Sequence, residues 1–374
     1  MRVLYVTRDY PPAVGGMERN AAEMTAALAR LGHAVRVLAP HGSAPMPGAE
    51  LHAYRLLGNW HVAGAWLRWL VLGHALAFRP DVIIANTWSP CGWAARLAAR
   101  LANVPLFIVA HGLDVREPLA RPATRRLELA TLRACTTVLA VSHYTKAVLV
   151  YAGLPPDRVR IVANGVDCAR FSPKLSGSKT WRTRLNLPCR QLIITVARLM
   201  PHKGHATVLE ALALLVARGY DPGYLIVGDG PERAALEQLA AARDLQGRVR
   251  FLAAVTENEL PLAYAAADVL AMPSVPAPDG SVEGFGIAYL EGSAAGLPVI
   301  GCSGSGAEDA IVDGGTGWLI PPGDSTALAE KLALLADRPL ENQLLGAAGR
   351  VRAANEFSWD SLARKLTGIL EQRS

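Results

Sequence analysis

The strongest constraint on this chain is a rhythm that runs its whole length. Short apolar, β-branched runs recur, each followed by a longer stretch with helical spacing. In the first half, residues 2–7, 34–39, 81–86, 105–110, 137–141 and 159–163 read as strands, and 16–31, 61–78, 92–102, 121–134 and 143–151 as helices. The runs are continuously apolar rather than alternating. Strands of that kind are buried on both faces, which calls for a parallel sheet covered by helices on each side. The expected unit is α/β and doubly wound.

Residues 171–189 break the rhythm with Ser172-Pro173, Ser176-Gly177-Ser178 and Pro188, and read as an inter-domain connection. A second series then begins. Its strands are expected at 192–197, 223–227, 249–253, 268–272, 298–301 and 317–320, and its helices at 204–218, 231–243, 256–266, 286–295, 324–336 and 341–356. A last helix, about 360–372, follows Ser358-Trp359. With 374 residues, 51% of them hydrophobic, the chain can fill two cores of roughly 150 residues each. The expected division is 1–170 and 171–357, with 358–374 as a closing helix. Two open sheets in series predict one substrate per half, held in loops after the strands and meeting across a cleft.

Charge is uneven. Residues 1–170 hold 19 Lys/Arg against 10 Asp/Glu, a net of +9, whereas 171–374 hold 19 against 22, a net of −3. A basic first half suits an anionic partner such as a membrane surface or a phosphorylated acceptor. Nucleic acid is not expected, because the 18 arginines there are scattered without interleaved aromatics. The five cysteines form no C-x-x-C pair, which argues against a disulfide framework or zinc cluster and fits a cytoplasmic setting. The N-terminus runs straight into a strand with no signal peptide pattern. Residues 61–79 include an apolar run with Trp66 and Trp69, interrupted by Arg68 and His74. A helix packed on the sheet, an interfacial helix at the inner face of a membrane, and a span of marginal length compete for it.

Six loops carry residue types suited to chemistry. Pro11 to Glu18 contains Gly15-Gly16 before a helix, where backbone amides can approach phosphate. It lacks the dinucleotide pattern G-x-G-x-x-G. His111-Gly112-Leu113-Asp114 follows a strand and can offer an imidazole to a hydroxyl or a developing charge. Asn164-Gly165-Val166-Asp167 is a turn signal. Arg198 ends a strand and Lys203 precedes a helix, so two cations and an amide end can hold a diphosphate whose charge grows as a glycosidic bond breaks. Gly228-Asp229-Gly230-Pro231 shapes another strand-to-helix turn. Glu283-Gly284-Phe285-Gly286-Ile287 with Glu291 is the most specific. Glu283 lies in a loop where it can meet sugar hydroxyls, and Glu291 lies inside the next helix where it can meet a ribose.

In this order the loops resemble the family-4 glycosyltransferases of the GT-B fold, which have two Rossmann-like domains. The resemblance covers nearly the whole chain. It implies an acceptor in the N-terminal domain, a nucleotide-sugar donor in the C-terminal domain, and a last helix that returns to the first. Arg198 and Lys203 would hold the diphosphate, with Glu283 on the donor sugar and Glu291 on the ribose. His111 would meet the sugar or its developing charge. Gly15, Gly16, Gly228, Gly230, Gly284, Phe285, Gly286 and Ile287 would line the nucleotide sugar. The family retains anomeric configuration and usually needs no metal and no cofactor beyond the donor. The usual proposal is same-face attack, with the leaving phosphate taking the acceptor proton, rather than hydrolysis by paired carboxylates. Many relatives carry Gly-Gly-x-Pro where this chain has Ser303-Gly304-Ser305-Gly306-Ala307-Glu308, and Val275–Val282 looks longer than in many relatives.

The stretch from Glu283 to Glu291 is similar to that of mannosyltransferases acting on phosphatidylinositol mannosides. With the basic first half and the tryptophans, it implies GDP-mannose as donor and a lipid-linked acceptor. A UDP-sugar transferase acting on a soluble acceptor or a glycan stays open, as do a sugar-nucleotide epimerase, which would turn over donor alone, and a binding protein without activity.

Overall fold

The computed structural model describes residues 1–372 except 14, 56–59, 113, 116–118, 120, 121, 174, 254 and 277–281, and leaves aside the side chains of 60–64, 122 and 123. The chain separates into two compact units, Met1–Gly165 with Trp359–Ser374, and Val166–Ser358.

The first unit is built on a seven-stranded parallel sheet. Its strands are β1 (Arg2–Val6), β2 (Ala34–Pro40), β3 (Ala49–Tyr54), β4 (Val82–Ala85), β5 (Leu106–Ala110), β6 (Thr137–Ala140) and β7 (Val159–Ile161), in the order β3-β2-β1-β4-β5-β6-β7. Helices α1 (Gly16–Arg30), α2 (Trp60–Phe78), α3 (Trp93–Ala102), α4 (Pro122–Ala134) and α5 (His143–Tyr151) connect them. The direction of winding reverses between β1 and β4, so the loops after those two strands flank the crevice where open α/β sheets take ligands. Strand β3 was not expected. It lies at the sheet edge with only Tyr54 buried, so it lacks the continuous apolar run that marks the others.

Helix α2 buries Leu67, Val71, Ala75 and Phe78, which recur at helical spacing toward the core. Its outer face leaves Trp66 39%, Trp69 66% and Leu76 59% exposed, with Ala65, Gly73 and Ala77 beside them and no charge along the stripe. The Arg68 guanidinium lies 4.3 Å from the Trp93 ring centroid on α3. No helix among the described residues is long and apolar enough to cross a membrane.

The second unit has a six-stranded parallel sheet of β8 (Gln191–Val196), β9 (Pro222–Val227), β10 (Val249–Leu252), β11 (Val269–Ala271), β12 (Val299–Cys302) and β13 (Gly317–Ile320), in the order β10-β9-β8-β11-β12-β13. Its helices are α6 (Ser178–Arg184), α7 (His205–Ala217), α8 (Arg233–Ala242), α9 (Leu260–Ala266), α10 (Ile287–Ala294), α11 (Ala307–Ala310), α12 (Ser325–Asp337) and α13 (Pro339–Glu356). Here the winding reverses between β8 and β11.

The stretch 171–189 holds a helix that was not expected. It is part of the second unit, and its helix α6 packs against α9. Arg182 on α6 binds the Asp268 carboxylate at 2.9 Å and the Ala266 carbonyl at 3.1 Å. Seven residues are too few to show a helical period, and the Ser/Gly/Pro flanks hide them.

The last helix, α14 (Trp359–Glu371), belongs to the first unit. Leu362, Ala363, Leu366 and Leu370 are buried there. Arg30 reaches Asp360 at 2.6 Å, and His33 shares a 2.8 Å hydrogen bond with Thr367. Trp359 covers Gly165 so closely that a Cβ there would fall 2.6 Å from the indole.

Candidate active site

In the second unit the chemistry gathers where the winding reverses. The loop after β8 carries Arg198 and Lys203, and the loop after β11 carries Glu283. Although 80 positions apart, the Lys203 Nζ donates to Glu283 Oε2 at 2.6 Å. Glu283 is 8% exposed. Burial opposes its charged form, but the Lys203 ammonium and its hydrogen bond outweigh that, and His202 and the Phe285 N–H add to them. The carboxyl therefore lies below the usual carboxylate range and stays ionised beside its partner.

Backbone interlocks hold these loops in place. Leu199 donates to the Asp229 carbonyl at 3.0 Å, and Glu232 to the Leu199 carbonyl at 3.1 Å. Gly228 has φ +141°, and a Cβ there would lie 2.0 Å from the Ala197 carbonyl oxygen, so only glycine fits. Gly230 faces the Leu199 backbone in the same way. Val275 donates to the His202 carbonyl at 2.9 Å, tying the loop after β11 to the one after β8. The loop after β12 closes the set, with Gly306 donating to the Glu283 carbonyl at 2.9 Å. The lack of the proline seen in many relatives thus leaves a closely fitted turn, in which Ser305 Oγ also donates to the Cys302 carbonyl at 2.9 Å.

The remaining expected residues fall around this centre. Arg198 is exposed, and its guanidinium makes no hydrogen bond or ion pair among the described residues. Gly284 and Phe285 are buried, and Gly286 and Ile287 open α10. Glu291 is buried inside α10 and accepts a 2.7 Å hydrogen bond from the Tyr264 hydroxyl. Most of Val275–Val282 lies outside the described residues. His205, two residues beyond Lys203, is held by the Tyr224 hydroxyl at 3.1 Å. Burial, with the Lys203 charge adding, pushes its imidazole down to about 4 against the opposing pull of the Arg198 backbone carbonyl, so it is neutral at pH 7.

In the first unit the key residue is one that sequence reasoning passed over. Asn86, at the end of β4, is fully buried. Its Oδ1 accepts from the Tyr5 hydroxyl at 2.8 Å, and its Nδ2 donates to the Met17 carbonyl at 3.3 Å. Its own carbonyl lies 2.9 Å from His111 Nε2. A carbonyl can only accept, so Nε2 carries the proton and Nδ1 is left to accept from a ligand. The His111 N–H donates to Asp114 Oδ1 at 2.8 Å, which fixes the turn that presents the ring. Gly15 and Gly16 are exposed at the start of α1. Val14 and Leu113 lie outside the described residues.

Below this loop, Glu128 on α4 is fully buried, and among the described residues neither of its carboxylate oxygens has a hydrogen-bond partner. Burial, with the Asp114 charge adding, pushes its carboxyl up to about 9. It is neutral in the fold at pH 7 but ionised in the unfolded chain. The native state thus forfeits stability as pH rises from 4.5 toward 9. Glu128→Gln is expected to gain about 3 kcal/mol at pH 7, or roughly 5–10 °C in Tm, and almost nothing at pH 4.5. Melting curves at the two pH values test it, and equal shifts at both would refute the protonation assigned.

Among the described residues, no cluster of three or more His, Cys, Asp or Glu side chains is placed to hold a metal ion.

Two family models match this chain. Residues 14–170 match the one described as Glycosyltransferase Family 4, and residues 178–352 the one described as Glycosyl transferases group 1. A GDP-mannose-dependent alpha-(1-6)-phosphatidylinositol monomannoside mannosyltransferase of Mycobacterium tuberculosis is 33% identical, over 99% of this chain and 98% of that one. The monoacylated-substrate counterpart of Corynebacterium glutamicum is 30% identical over the same shares, 99% and 98%. Among solved structures, Anabaena HepE in complex with UDP and glucose superposes with a TM-score of 0.81 at 22% identity, covering 99% of each chain. That likeness carries the GT-B fold, and the sequence matches carry the rest: this chain is a glycosyltransferase and belongs to family 4.

Proposed function

We propose that this enzyme moves a mannosyl residue from GDP-mannose to a hydroxyl of a phosphatidylinositol-type glycolipid, with retention of configuration. The observation that carries the reading is the pairing of half-buried Lys203 with buried Glu283 at the winding reversal of the second unit. Lys203 has three N–H donors and spends one on Glu283, leaving the others for a diphosphate. Arg198, without a side-chain partner among the described residues, supplies a second positive group, and the two stabilise charge as the sugar–phosphate bond breaks. Glu283 anchors the ammonium and offers its other oxygen to a sugar hydroxyl. Glu291, braced by Tyr264, meets the ribose. His111 accepts from the sugar through Nδ1. Side-chain cations fill the role that a metal ion plays elsewhere, so transfer is expected to persist in EDTA.

The near full-length likeness to enzymes named for GDP-mannose and phosphatidylinositol mannoside supports the donor and acceptor classes. The UDP-bound HepE structures favour a second reading, a UDP-sugar donor. A thermal-shift panel of GDP, UDP and ADP separates the two. GDP at 100 times its Kd should add roughly 2.7 kcal/mol of stability. A shift with UDP alone would replace the donor, and no shift with any nucleotide would remove the pocket assigned here.

The uncharged outer stripe of α2 supports contact with the inner face of a membrane, with Trp66 and Trp69 at headgroup depth. The variant carrying both Trp66→Ser and Trp69→Ser is expected to lose about tenfold in binding to anionic vesicles while its melting temperature holds. Unchanged flotation with vesicles would exclude this face.

A further inference from the structure

Residues 1–165 of the first unit carry 17 arginines, most of them on outer surfaces where described. Arg8 differs in place and in geometry. It follows β1 directly, on the loop that flanks the winding reversal between β1 and β4. That is where an open α/β sheet takes its ligand. Its neighbour Asp9 is pinned by a tight turn, in which Thr7 Oγ1 donates to the Asp9 carbonyl at 2.7 Å and accepts from the Asp9 N–H at 3.1 Å. The Asp9 carboxylate in turn accepts from Arg8 Nε at 2.8 Å.

This contact uses one edge of the guanidinium. The two terminal nitrogens, Nη1 and Nη2, have no hydrogen-bond partner among the described residues, and the side chain is 41% exposed. A guanidinium clamped at Nε presents its terminal fork in a fixed direction. Two parallel N–H groups so held match two oxygens of a phosphate, at little further cost in side-chain entropy. The same crevice holds Asn86 and the ring of His111.

We propose that Arg8 binds the phosphate of the acceptor, and so selects acceptors that carry a phosphate ester close to the hydroxyl that is glycosylated. The inference rests on the reading of the first unit as the acceptor-holding unit. It deepens that reading by naming the charged group recognised and the side chain that recognises it. A lipid phosphodiester and a soluble phosphate ester offer the same oxygens, so the experiment has an arm for each.

Binding is measured directly, without turnover, for wild type, Arg8→Ala, Arg8→Gln and Arg8→Lys in the presence of GDP. One arm uses myo-inositol 1-phosphate against myo-inositol. The other uses vesicles of phosphatidylinositol against phosphatidylcholine. Removing the fork should weaken binding of the phosphate-bearing probe by about 10- to 100-fold, with Arg8→Lys recovering only part, because a point charge cannot make the bidentate pair. Affinity for GDP should not change. A loss in both arms assigns the phosphate whatever carries it, and a loss confined to vesicles assigns the lipid phosphodiester. Wild-type affinity of Arg8→Ala in both arms overturns the proposal. So does an equal loss toward GDP, or a wild type that binds neither phosphate-bearing probe. Mannosyl transfer by the wild type, assayed separately with GDP-mannose, decides the function itself, so the two failures stay distinguishable.

Discussion

Lys203→Ala is expected to lower kcat/KM for transfer by about 10³-fold, because it removes a charge placed where negative charge grows in the transition state. A second effect comes with it. Glu283 is nearly buried and would lose the ammonium that holds it ionised. An uncompensated buried charge costs about 3 kcal/mol or more, so the variant should also melt early. Glu283→Ala is milder for the fold, since Lys203 keeps more solvent access and can turn outward. It should abolish transfer while nucleotide affinity stays near wild type. The double variant Lys203→Ala/Glu283→Ala then makes the decisive comparison. Its stability should recover most of what Lys203→Ala lost, and its activity should not recover. If the losses in stability simply add, the pair is not coupled and the geometry assigned to it is wrong.

Gly306→Ala should be nearly as damaging, although the residue bears no side chain. A Cβ at this position would stand 2.0 Å from the Gly284 carbonyl oxygen and 2.7 Å from the Phe285 nitrogen. Both are backbone atoms, so neither can swing aside. The Glu283–Phe285 segment must move instead, and the hydrogen bond from Gly306 to the Glu283 carbonyl must stretch or break. A displacement near 1 Å of a positioned group is worth about 10²-fold in rate. The expected signature is a fall in kcat with nucleotide affinity largely kept, because Lys203 and Arg198 sit on a different loop. Wild-type kcat in this variant would mean that Glu283 does not depend on the turn after β12.

Much of this architecture could be read in the amino-acid order, for a physical reason. Strands buried on both faces must be apolar throughout, and twelve of the thirteen announce themselves within a residue or two of their ends. Strand β3 and helix α6 did not, because an edge strand is half wet and a seven-residue helix has no period to display. In the site, Lys203 and Glu283 stood out singly as charged residues in strand-end loops, but their direct pairing is a product of the winding order of the sheet. Gly306 gave only a departure from a pattern, since close backbone approach leaves no trace except the glycine itself. Asn86 looked like an ordinary strand end, although its three hydrogen-bonding groups organise the crevice of the first unit. Arg8 was lost among other arginines because its distinction is the contact at Nε, not its residue type.

Helix α14 carries a consequence for how the molecule is made. The second unit is one unbroken stretch, so a ribosome that has passed residue 358 has already delivered everything that unit needs. The first unit is begun before the second yet completed after it, since Leu362, Leu366 and Leu370 join it only once residues 166–358 have been made. Until they arrive, the nascent sheet must wait with an apolar flank open to water, a state prone to aggregation. Translation stops just before residue 359 should therefore harm the half of the protein that was synthesised first.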